Sequence, residues 1–322
     1  MVTAITLLVV FLGGLAAYIV IAVNAATQGI EPGWLVAGGI AIYVAIYLVA
    51  AGFSFTLAWI FRTPRPPECR IGLGATLGLY VGEMIAMAKS HPRMAFGWWA
   101  MRDPPPRPAV NPVLCLHGVL CNAGVWRGVL PKFAAAMGSP VYALSYGPPQ
   151  ASIETFADQL AAKIGAMRSA TGAAKVTLVT HSMGGLVARA YLRRYGAEHV
   201  RCVVGLGTPH HGSVHAWIFP GTCLAQIRPG SEWLAKLNRN EAAGPPVRIV
   251  SIWSRHDSMV APQASACLDG AENVAVIGIG HNALIDNGEV AARVVLEIRR
   301  SEREAQDECG ERMDNAATPE TK

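Results

Sequence analysis

The sequence predicts an α/β domain, built on a mostly parallel sheet flanked by helices and preceded by a transmembrane helical hairpin. Two observations lead to this expectation. Residues 1–61 contain a single charged side chain, Glu31, although the whole chain of 322 residues is 15% charged. After residue 111, short apolar runs alternate with segments of helical periodicity, which is typical of a parallel sheet covered by helices.

The apolar first fifth of the chain predicts a membrane anchor over residues 1–61. Residues 4–23 and 34–61 are free of charge, and the connector between them contains Gly29, Pro32 and Gly33. A helix of about 20 residues is ~30 Å long, which matches the hydrocarbon core of a bilayer. The alternative is that the first run is a cleaved signal peptide. No Lys or Arg precedes that run and a second run follows at once, which favours the hairpin.

Residues 62–110 are interpreted as a basic juxtamembrane segment followed by a proline-rich linker. Arg62, Arg65 and Arg70 follow the second run, whereas the connector between the runs has no Lys or Arg. The positive-inside bias therefore predicts two spans with both termini, and the domain after the linker, in the cytoplasm. Residues 71–88 are apolar and glycine-rich, and Glu83 is the one charged residue among them. They fit either an interfacial helix or a helix packed against the next domain.

Six apolar runs after the linker are predicted as strands of a domain over residues 111–300. Helical spacing covers three further segments, and residues 301–322 are expected to be a disordered acidic tail. The seven cysteines are scattered and odd in number, so reduced thiols are favoured over zinc ligation or a disulfide framework. The predicted strands are 112–116, 141–144, 176–179, 200–206, 247–252 and 274–279, and the predicted helices are 152–167, 186–195 and 287–300.

The strongest motif is V-T-L-V-T-H-S-M-G-G over residues 176–185, which predicts a strand, a sharp turn and a helix. The turn would raise Ser182 above the sheet at a helix N-terminus, where the helix dipole favours developing negative charge. This segment resembles the G-x-S-x-G nucleophile elbow of α/β-hydrolases, with Thr180 in place of the first glycine. The resemblance implies an α/β-hydrolase fold with Ser182 as the nucleophile.

A nucleophilic serine needs a base and a group that orients the base. His281 follows the last predicted strand and Asp257 follows the one before it. The chain order Ser182, Asp257, His281 is the order found in α/β-hydrolases. Asp269 and Asp286 are the rival acids, and the position of Asp286 after His281 is the wrong order.

Backbone N–H groups must stabilise the oxyanion of the tetrahedral intermediate. One is expected from Met183, the residue after the nucleophile. The other is expected from Val119, in the H-G-V segment that ends the first predicted strand. His256, next to the predicted acid, is expected to be a solvated loop residue.

Three motifs together resemble bacterial triacylglycerol lipases and related esterases: H-G-V at 117–119, T-H-S-M-G-G at 180–185 and G-T-P-H-H-G at 207–212. The resemblance covers residues 112–300. It implies an acyl-serine intermediate and a lipid or ester substrate, with His117 and His181 as substrate contacts. His210 and His211 would border the site. Some relatives bind structural calcium through aspartates, but no convincing pair occurs here, so no metal and no cofactor is expected.

An insertion over residues 213–245 is rich in large apolar residues. It fits either a mobile lid, with Trp217 and Phe219 contacting an acyl chain, or an ordinary packed cap. The expected function is hydrolysis of carboxylic esters of lipids or other apolar acyl compounds at a bilayer. An acyltransferase or thioesterase would use the same triad, and a non-catalytic membrane scaffold is the alternative outside enzymes. No nucleic-acid-binding motif is present, and the oligomeric state is left open.

Overall fold

The computed structural model describes residues 2–97, 101–241 and 244–317. Its N-terminal part consists of three long helices, α1 (Val2–Thr27), α2 (Pro32–Ile60) and α3 (Leu73–Phe96). Helices α1 and α2 cover the two predicted apolar runs and are long and apolar enough to cross a membrane, with a mean hydropathy of 2.6 and 2.2. Most of their large apolar side chains are exposed, so the domain buries little of this surface.

Helix α3 lies between the hairpin and the following domain. Phe96 packs edge-on against Phe11 of α1, with ring centroids 5.9 Å apart, and His91 hydrogen-bonds Tyr47 of α2 at 3.1 Å. One face of α3 is buried and includes Glu83. The opposite face carries an exposed apolar stripe at four-residue spacing, so this helix has features of both predicted interpretations. The stripe consists of Leu73, Leu77, Val81 and Ile85.

The domain after the linker is built on a six-stranded, fully parallel sheet with the strand order β2-β1-β3-β4-β5-β6. Each predicted strand appears within a few residues of its expected position, which confirms the predicted fold class. The strands are β1 (Val113–Leu116), β2 (Val141–Leu144), β3 (Val176–His181), β4 (Val200–Leu206), β5 (Arg248–Ser254) and β6 (Glu272–Val276).

Helices cover both faces of the sheet because its central strands are apolar on both faces. Leu114 and Leu178 point to one face, where they pack with α5 and α6. Val113 and Val179 point to the other, where they pack with α4 and α10. This alternation follows from the two-residue period of a strand. The helices are α4 (Leu130–Ala136), α5 (Ile153–Thr171), α6 (Met183–Tyr195), α7 (Thr222–Ile227), α8 (Glu232–Asn240), α9 (Ala283–Asp286) and α10 (Gly288–Ala317).

The insertion after β4 contains α7 and α8, and most of it is a packed cap. Leu224, Leu234 and Leu237 are buried in the core on the α5/α6 face of the sheet. The segment before α7 is different, because Trp217 and Phe219 are 62% and 51% exposed. Most of the insertion therefore matches the predicted packed cap, and the short segment before α7 has the exposed apolar side chains expected of a lid.

The closing helix α10 continues to Ala317, where the sequence predicted a disordered tail from residue 301; residues 318–322 lie outside the described residues. The first turn beyond Arg300 belongs to the domain. Ser301 is fully buried and hydrogen-bonds Thr177 of β3 at 2.7 Å, and Glu302 accepts a hydrogen bond from Ser139. The acidic composition of residues 301–322 favoured a disordered tail, but polar side chains can be buried where they find hydrogen-bond partners.

Candidate active site

Ser182 lies in a strained turn between β3 and α6. Its φ of 55° and ψ of −126° lie in a region that side chains other than glycine rarely adopt. The backbone N–H of Ser182 donates to Leu206 O at 2.8 Å, which ties the turn to β4. The side chain is partly exposed at the carboxyl edge of the sheet, where ligand sites of open α/β sheets are found.

The two glycines after Met183 allow α6 to pack closely behind this turn. A Cβ atom on Gly184 would lie 2.8 Å from the carbonyl oxygens of Leu116 and His117. A Cβ atom on Gly185 would lie 2.1 Å from Thr208 Oγ1. Neither position has room for a side chain, so the glycines set the distance between the helix and the strands on either side of β3.

The departure from the G-x-S-x-G pattern at Thr180 is accommodated by the neighbouring strand. Thr180 is fully buried and is paired with Gly205 of β4. A Cβ atom on Gly205 would lie 3.5 Å from Thr180 Oγ1 and 3.1 Å from Thr208 Oγ1. Gly205 thus lies in van der Waals range of Thr180, and its closer neighbour is Thr208.

Asp257 and His281 meet beyond the ends of β5 and β6. Asp257 Oδ2 accepts a hydrogen bond of 2.9 Å from His281 Nδ1, and both side chains are almost completely buried. The other carboxylate oxygen accepts from the backbone N–H groups of Met259 and Val260 at 2.8 and 2.7 Å. These contacts fix the carboxylate and leave Nε2 of a neutral His281 without a proton. The rival Asp286 forms an ion pair with Arg93 of α3 instead.

The charge on Asp257 controls the protonation of His281. Burial alone lowers the pKa of an imidazole, but the carboxylates of Asp257 and, more weakly, Glu83 outweigh it, so the pKa of His281 is raised above its ordinary value. Gly207 at the end of β4 lies beside this pair with a φ of 57°. A Cβ atom on it would lie 3.1 Å from Asp257 Oδ2 and 3.2 Å from His281 Nδ1.

Glu83 of α3 holds the two loops that carry Asp257 and His281, a role that the sequence analysis missed. Its buried carboxylate accepts hydrogen bonds from Ser258 Oγ at 2.6 Å, from Asn282 N and Nδ2 at 3.0 and 2.9 Å, and from Ala283 N at 3.1 Å. Four donors compensate for the burial of a charge. The one available signal was that Glu83 is the single charged residue within the apolar segment 71–88.

His117 and His181 are buried against the backbone, so the geometry favours a positioning role over the expected substrate contact. His181 Nε2 donates to His281 O at 3.1 Å, and burial lowers its pKa to about 3. His117 Nδ1 donates to Gly118 O at 2.8 Å, while its Nε2 accepts from Tyr146 N at 3.3 Å. Burial lowers the pKa of His117 to about 4, so it is neutral at physiological pH.

Gly118, the residue before the predicted oxyanion donor Val119, lies directly against Ser182. A Cβ atom on Gly118 would lie 3.0 Å from Ser182 Cβ. The His117 bond fixes the Gly118 carbonyl, and because a trans peptide directs its N–H opposite to its C=O, it also fixes the direction of the Val119 N–H. Met183 is the first residue of α6, where backbone N–H groups have no partner within the helix.

The described residues include no hydrogen-bond partner for Ser182 Oγ. The hydroxyl is therefore unpaired in this part of the chain, while the adjacent residue His181 donates to His281 O at 3.1 Å. Catalytic hydrogen bonds are often long in the free enzyme and shorten when substrate binds.

Comparison with known proteins identifies the fold of this domain. Residues 111–246 match the family model described as the alpha/beta hydrolase fold. The solved structure of mature Bacillus licheniformis lipase BlEst2 superposes with a TM-score of 0.53 at 20% sequence identity, covering 61% of this chain and 95% of the lipase. The domain has the α/β-hydrolase fold.

Similarity to lipases also appears in the amino-acid sequence, over a short stretch of the chain. A stretch of 59 residues is 44% identical to triacylglycerol lipases from Pseudarthrobacter phenanthrenivorans and Burkholderia plantarii. That stretch covers 18% of this chain, and 18% and 16% of the two lipases, so the alignment spans less than a fifth of these relatives. The chain therefore resembles triacylglycerol lipases over this stretch, within a domain of α/β-hydrolase fold.

The first histidine of the G-T-P-H-H-G segment is part of a buried polar network. His210 is buried, 3.2 Å from Arg189 Nη1 and 3.3 Å from Ser251 Oγ. Arg189 itself is fully buried and forms an ion pair of 2.9 Å with Glu241. His256, which was expected to be solvated, is instead 2% exposed. That expectation was wrong because α3 and the residues after α2 cover the loop.

Proposed function

We propose that this protein is a membrane-anchored serine hydrolase that cleaves carboxylic esters of lipids or other apolar acyl compounds through an acyl-serine intermediate. One observation carries the proposal. Ser182 lies in a strained turn at the carboxyl edge of the sheet, and the residue before it, His181, donates to the backbone of His281, which is hydrogen-bonded to Asp257. Strain in the backbone of a nucleophile is a recurrent feature of active sites.

The proposed reaction has two halves. His281 Nε2 takes the proton of Ser182 as Oγ attacks the ester carbonyl, and Asp257 stabilises the imidazolium that forms. The N–H groups of Met183 and Val119 stabilise the oxyanion. When the intermediate collapses, the C–O bond to the alcohol breaks and His281 returns the proton to that alcohol. Water then attacks the acyl-serine with His281 as base, which releases the carboxylic acid and restores Ser182.

Membrane attachment is supported by exposed apolar surface and by the way the hairpin docks. The apolar stripe of α3 and the outer faces of α1 and α2 form a large exposed surface, which in soluble proteins is rare. His215 donates to Ser54 O, and Gln263 donates to Ala58 O, so the C-terminal part of α2 contacts the hydrolase domain close to Asp257. The Thr3 hydroxyl reaches Cys121 O at 3.5 Å. These contacts favour a retained hairpin over a cleaved signal peptide.

The same contacts would bring the site to the bilayer surface. Trp217, Ile218 and Phe219 are exposed and follow His215, the residue that donates to α2. We propose that this exposed segment contacts the acyl part of the substrate and that Trp217 and Phe219 supply most of the apolar surface. Arg228 lies over the ring of Trp217, with its guanidinium carbon 4.4 Å from the centroid.

Covalent labelling tests the nucleophile. The full-length protein in nanodiscs should react with a fluorophosphonate probe at Ser182 and hydrolyse a p-nitrophenyl ester. Ser182→Ala should lose labelling and lose several orders of magnitude in kcat/KM, since the triad acts as a unit. Ser169→Ala, at an exposed serine of α5, is the control that should keep both. An unlabelled but folded wild-type protein would favour the scaffold alternative.

The side of the membrane is tested with engineered cysteines. Gln28 lies exposed in the connector between α1 and α2, and Glu289 lies exposed at the start of α10. With a cytoplasmic domain, a membrane-impermeant maleimide should label Gln28→Cys in intact spheroplasts and label Glu289→Cys after permeabilisation alone. The reverse pattern would put the hydrolase domain outside and contradict the positive-inside expectation.

A further inference from the structure

A cavity of about 600 Å³ lies between the C-terminal part of α2, the N-terminal half of α3 and the loop after β5. Its volume is in the range of small-molecule sites, roughly 300–1,000 Å³. The walls are mostly apolar, with Phe55 and Trp59 contributed by α2 and Leu79 and Tyr80 contributed by α3. The apolar lining of these walls suits an acyl chain.

Basic side chains also line the cavity. Arg65 and Arg70 line it together with His256 of the hydrolase domain. Arg65 is held in place because its Nε donates to Arg255 O at 2.9 Å. The chain thus places two guanidinium groups beside an apolar chamber, which is the combination that binds an anionic head group with an attached chain.

His256, which also lines the cavity, carries a buried donor without a partner. Its Nδ1 accepts a hydrogen bond from Gly278 N at 3.2 Å, so the proton of the neutral ring lies on Nε2. Nε2 is buried without a hydrogen-bond partner among the described residues. Burial, together with Arg65 and Arg255, lowers the pKa of His256 to about 4, which keeps the ring neutral. A buried unpaired donor is unusual and calls for a partner.

Asp257 also lines the cavity, but its carboxylate is already engaged. One oxygen accepts from Met259 N and Val260 N, and the other accepts from His281 Nδ1. Its negative charge is therefore compensated from the side of the hydrolase domain. The uncompensated groups on the cavity wall are the cations and the His256 donor.

We propose that this cavity binds the anion of a long-chain fatty acid, with the chain between α2 and α3 and the carboxylate at Arg65, Arg70 and His256. The choice of a fatty acid rests on the proposed function, because ester hydrolysis at Ser182 would release that anion at the same membrane surface. The cavity itself is independent of that activity. Trp59, with the Arg62 guanidinium carbon 4.5 Å from its ring centroid, marks the level of the membrane interface.

Binding is measured on full-length protein in nanodiscs of neutral phosphatidylcholine. The protein carries Ser182→Ala, so that turnover plays no part. The probe is a long-chain fatty acid with a diazirine in its chain, which is photolysed and mapped by mass spectrometry. We expect saturable labelling of peptides that contain residues 52–59 and 71–80, with displacement by unlabelled oleate.

Two variants with matched controls locate the ligand. Thr76→Trp fills the cavity from an exposed position of α3, and Leu77→Trp places the same side chain on the outer face of that helix. The pair Arg65→Gln and Arg70→Gln removes the head-group cations, and Lys89→Gln removes one charge elsewhere on α3. We expect loss of labelling in Thr76→Trp and affinity weakened on the order of tenfold in the arginine pair. Both controls should bind as the parent does.

The outcomes distinguish the ligand from its rivals. Labelling that does not saturate, or that is equal in Thr76→Trp and Leu77→Trp, would reflect partition into the bilayer and overturn the proposal. Displacement by phosphatidylglycerol as effective as by oleate would assign the cavity to an anionic membrane lipid instead. Displacement by inorganic phosphate alone would reduce it to an anion site. Saturable binding in Ser182→Ala, with no hydrolysis in the wild type, would sustain the cavity and reject the proposed function.

Discussion

The two halves of the candidate triad are held in different ways. Ser182 depends on residues close to it in sequence, because β3, the turn and the glycines of α6 lie within residues 176–185. Asp257 and His281 depend on a residue far away, because Glu83 of α3 ties down Ser258 and Asn282 from 175 and 199 residues earlier in the chain. A nucleophile elbow can thus be read as a motif, whereas the support of its base cannot.

This contrast also changes the meaning of the N-terminal region. Helix α3 lies in the segment that the sequence predicts as juxtamembrane. It provides the buried carboxylate of Glu83 to the loops of Asp257 and His281, and its Arg93 forms an ion pair with Asp286. The hydrolase domain and the three N-terminal helices are therefore coupled next to the site. Removing the hairpin and removing α3 should have different consequences.

The largest effect is expected when the charge of the acid is removed. Asp257→Asn should lower kcat/KM for a soluble ester by about 10³ to 10⁴, because the amide cannot stabilise imidazolium and favours the wrong tautomer. The fold should be retained, as judged by circular dichroism. Asp269→Asn is the control and should keep normal activity. Loss in Asp269→Asn with near-normal Asp257→Asn would move the acid to Asp269.

The local support of Ser182 is disrupted most directly by a substitution at Gly185. Gly185→Ala places a methyl group against Thr208, and we expect a loss of about 100-fold in kcat/KM and about 1–3 kcal/mol in the free energy of unfolding. Adding Thr208→Gly should recover part of both, because it removes the atoms that collide. The measurements are ester kinetics and denaturant unfolding. Absence of any rescue would show that the close approach to Thr208 is not the cause.

The support of the Asp257 and His281 loops is disrupted by a substitution at Glu83. Glu83→Gln replaces an acceptor oxygen with a donor facing backbone N–H groups, so kcat/KM should fall about 10-fold to 100-fold through misplaced loops. Loss of the negative charge should also lower the pKa of His281, and since the base must be neutral, the acid limb of the kcat/KM profile should move to lower pH. Lys89→Gln should leave both unchanged. An unmoved acid limb would leave Glu83 with a purely structural role.

The smallest effect is expected from deleting residues 1–61, which keeps Glu83 and both predicted oxyanion donors. Activity on a soluble ester should stay within about tenfold of the full chain, while activity on vesicles falls further because the anchor raises local concentration. The melting temperature should drop, since the hydrogen bonds to Ser54 O and Ala58 O are lost. A folded but inactive product would make the hairpin part of the site.

Much of the fold was predictable because the relevant signals are local. All six strands were expected from apolar runs bounded by turn residues, and the triad candidates were expected because each follows a strand at the same edge of a parallel sheet. The assignment of Ser182, Asp257 and His281 as catalytic, with Val119 and Met183 as oxyanion donors, stays a prediction for the experiments above. The membrane side of the domain also stays a prediction.

The sequence by itself determined the elements, because hydrophobic periodicity and the space demanded by a side chain act over a few residues. The tertiary structure decided which distant groups meet: Glu83 with the loops of Asp257 and His281, Gly205 beside Thr180, and Ser301 beneath β3. These long-range contacts depend on how the helices pack against the complete sheet. A buried polar group is stable only where its partners converge, and the sequence does not record that convergence.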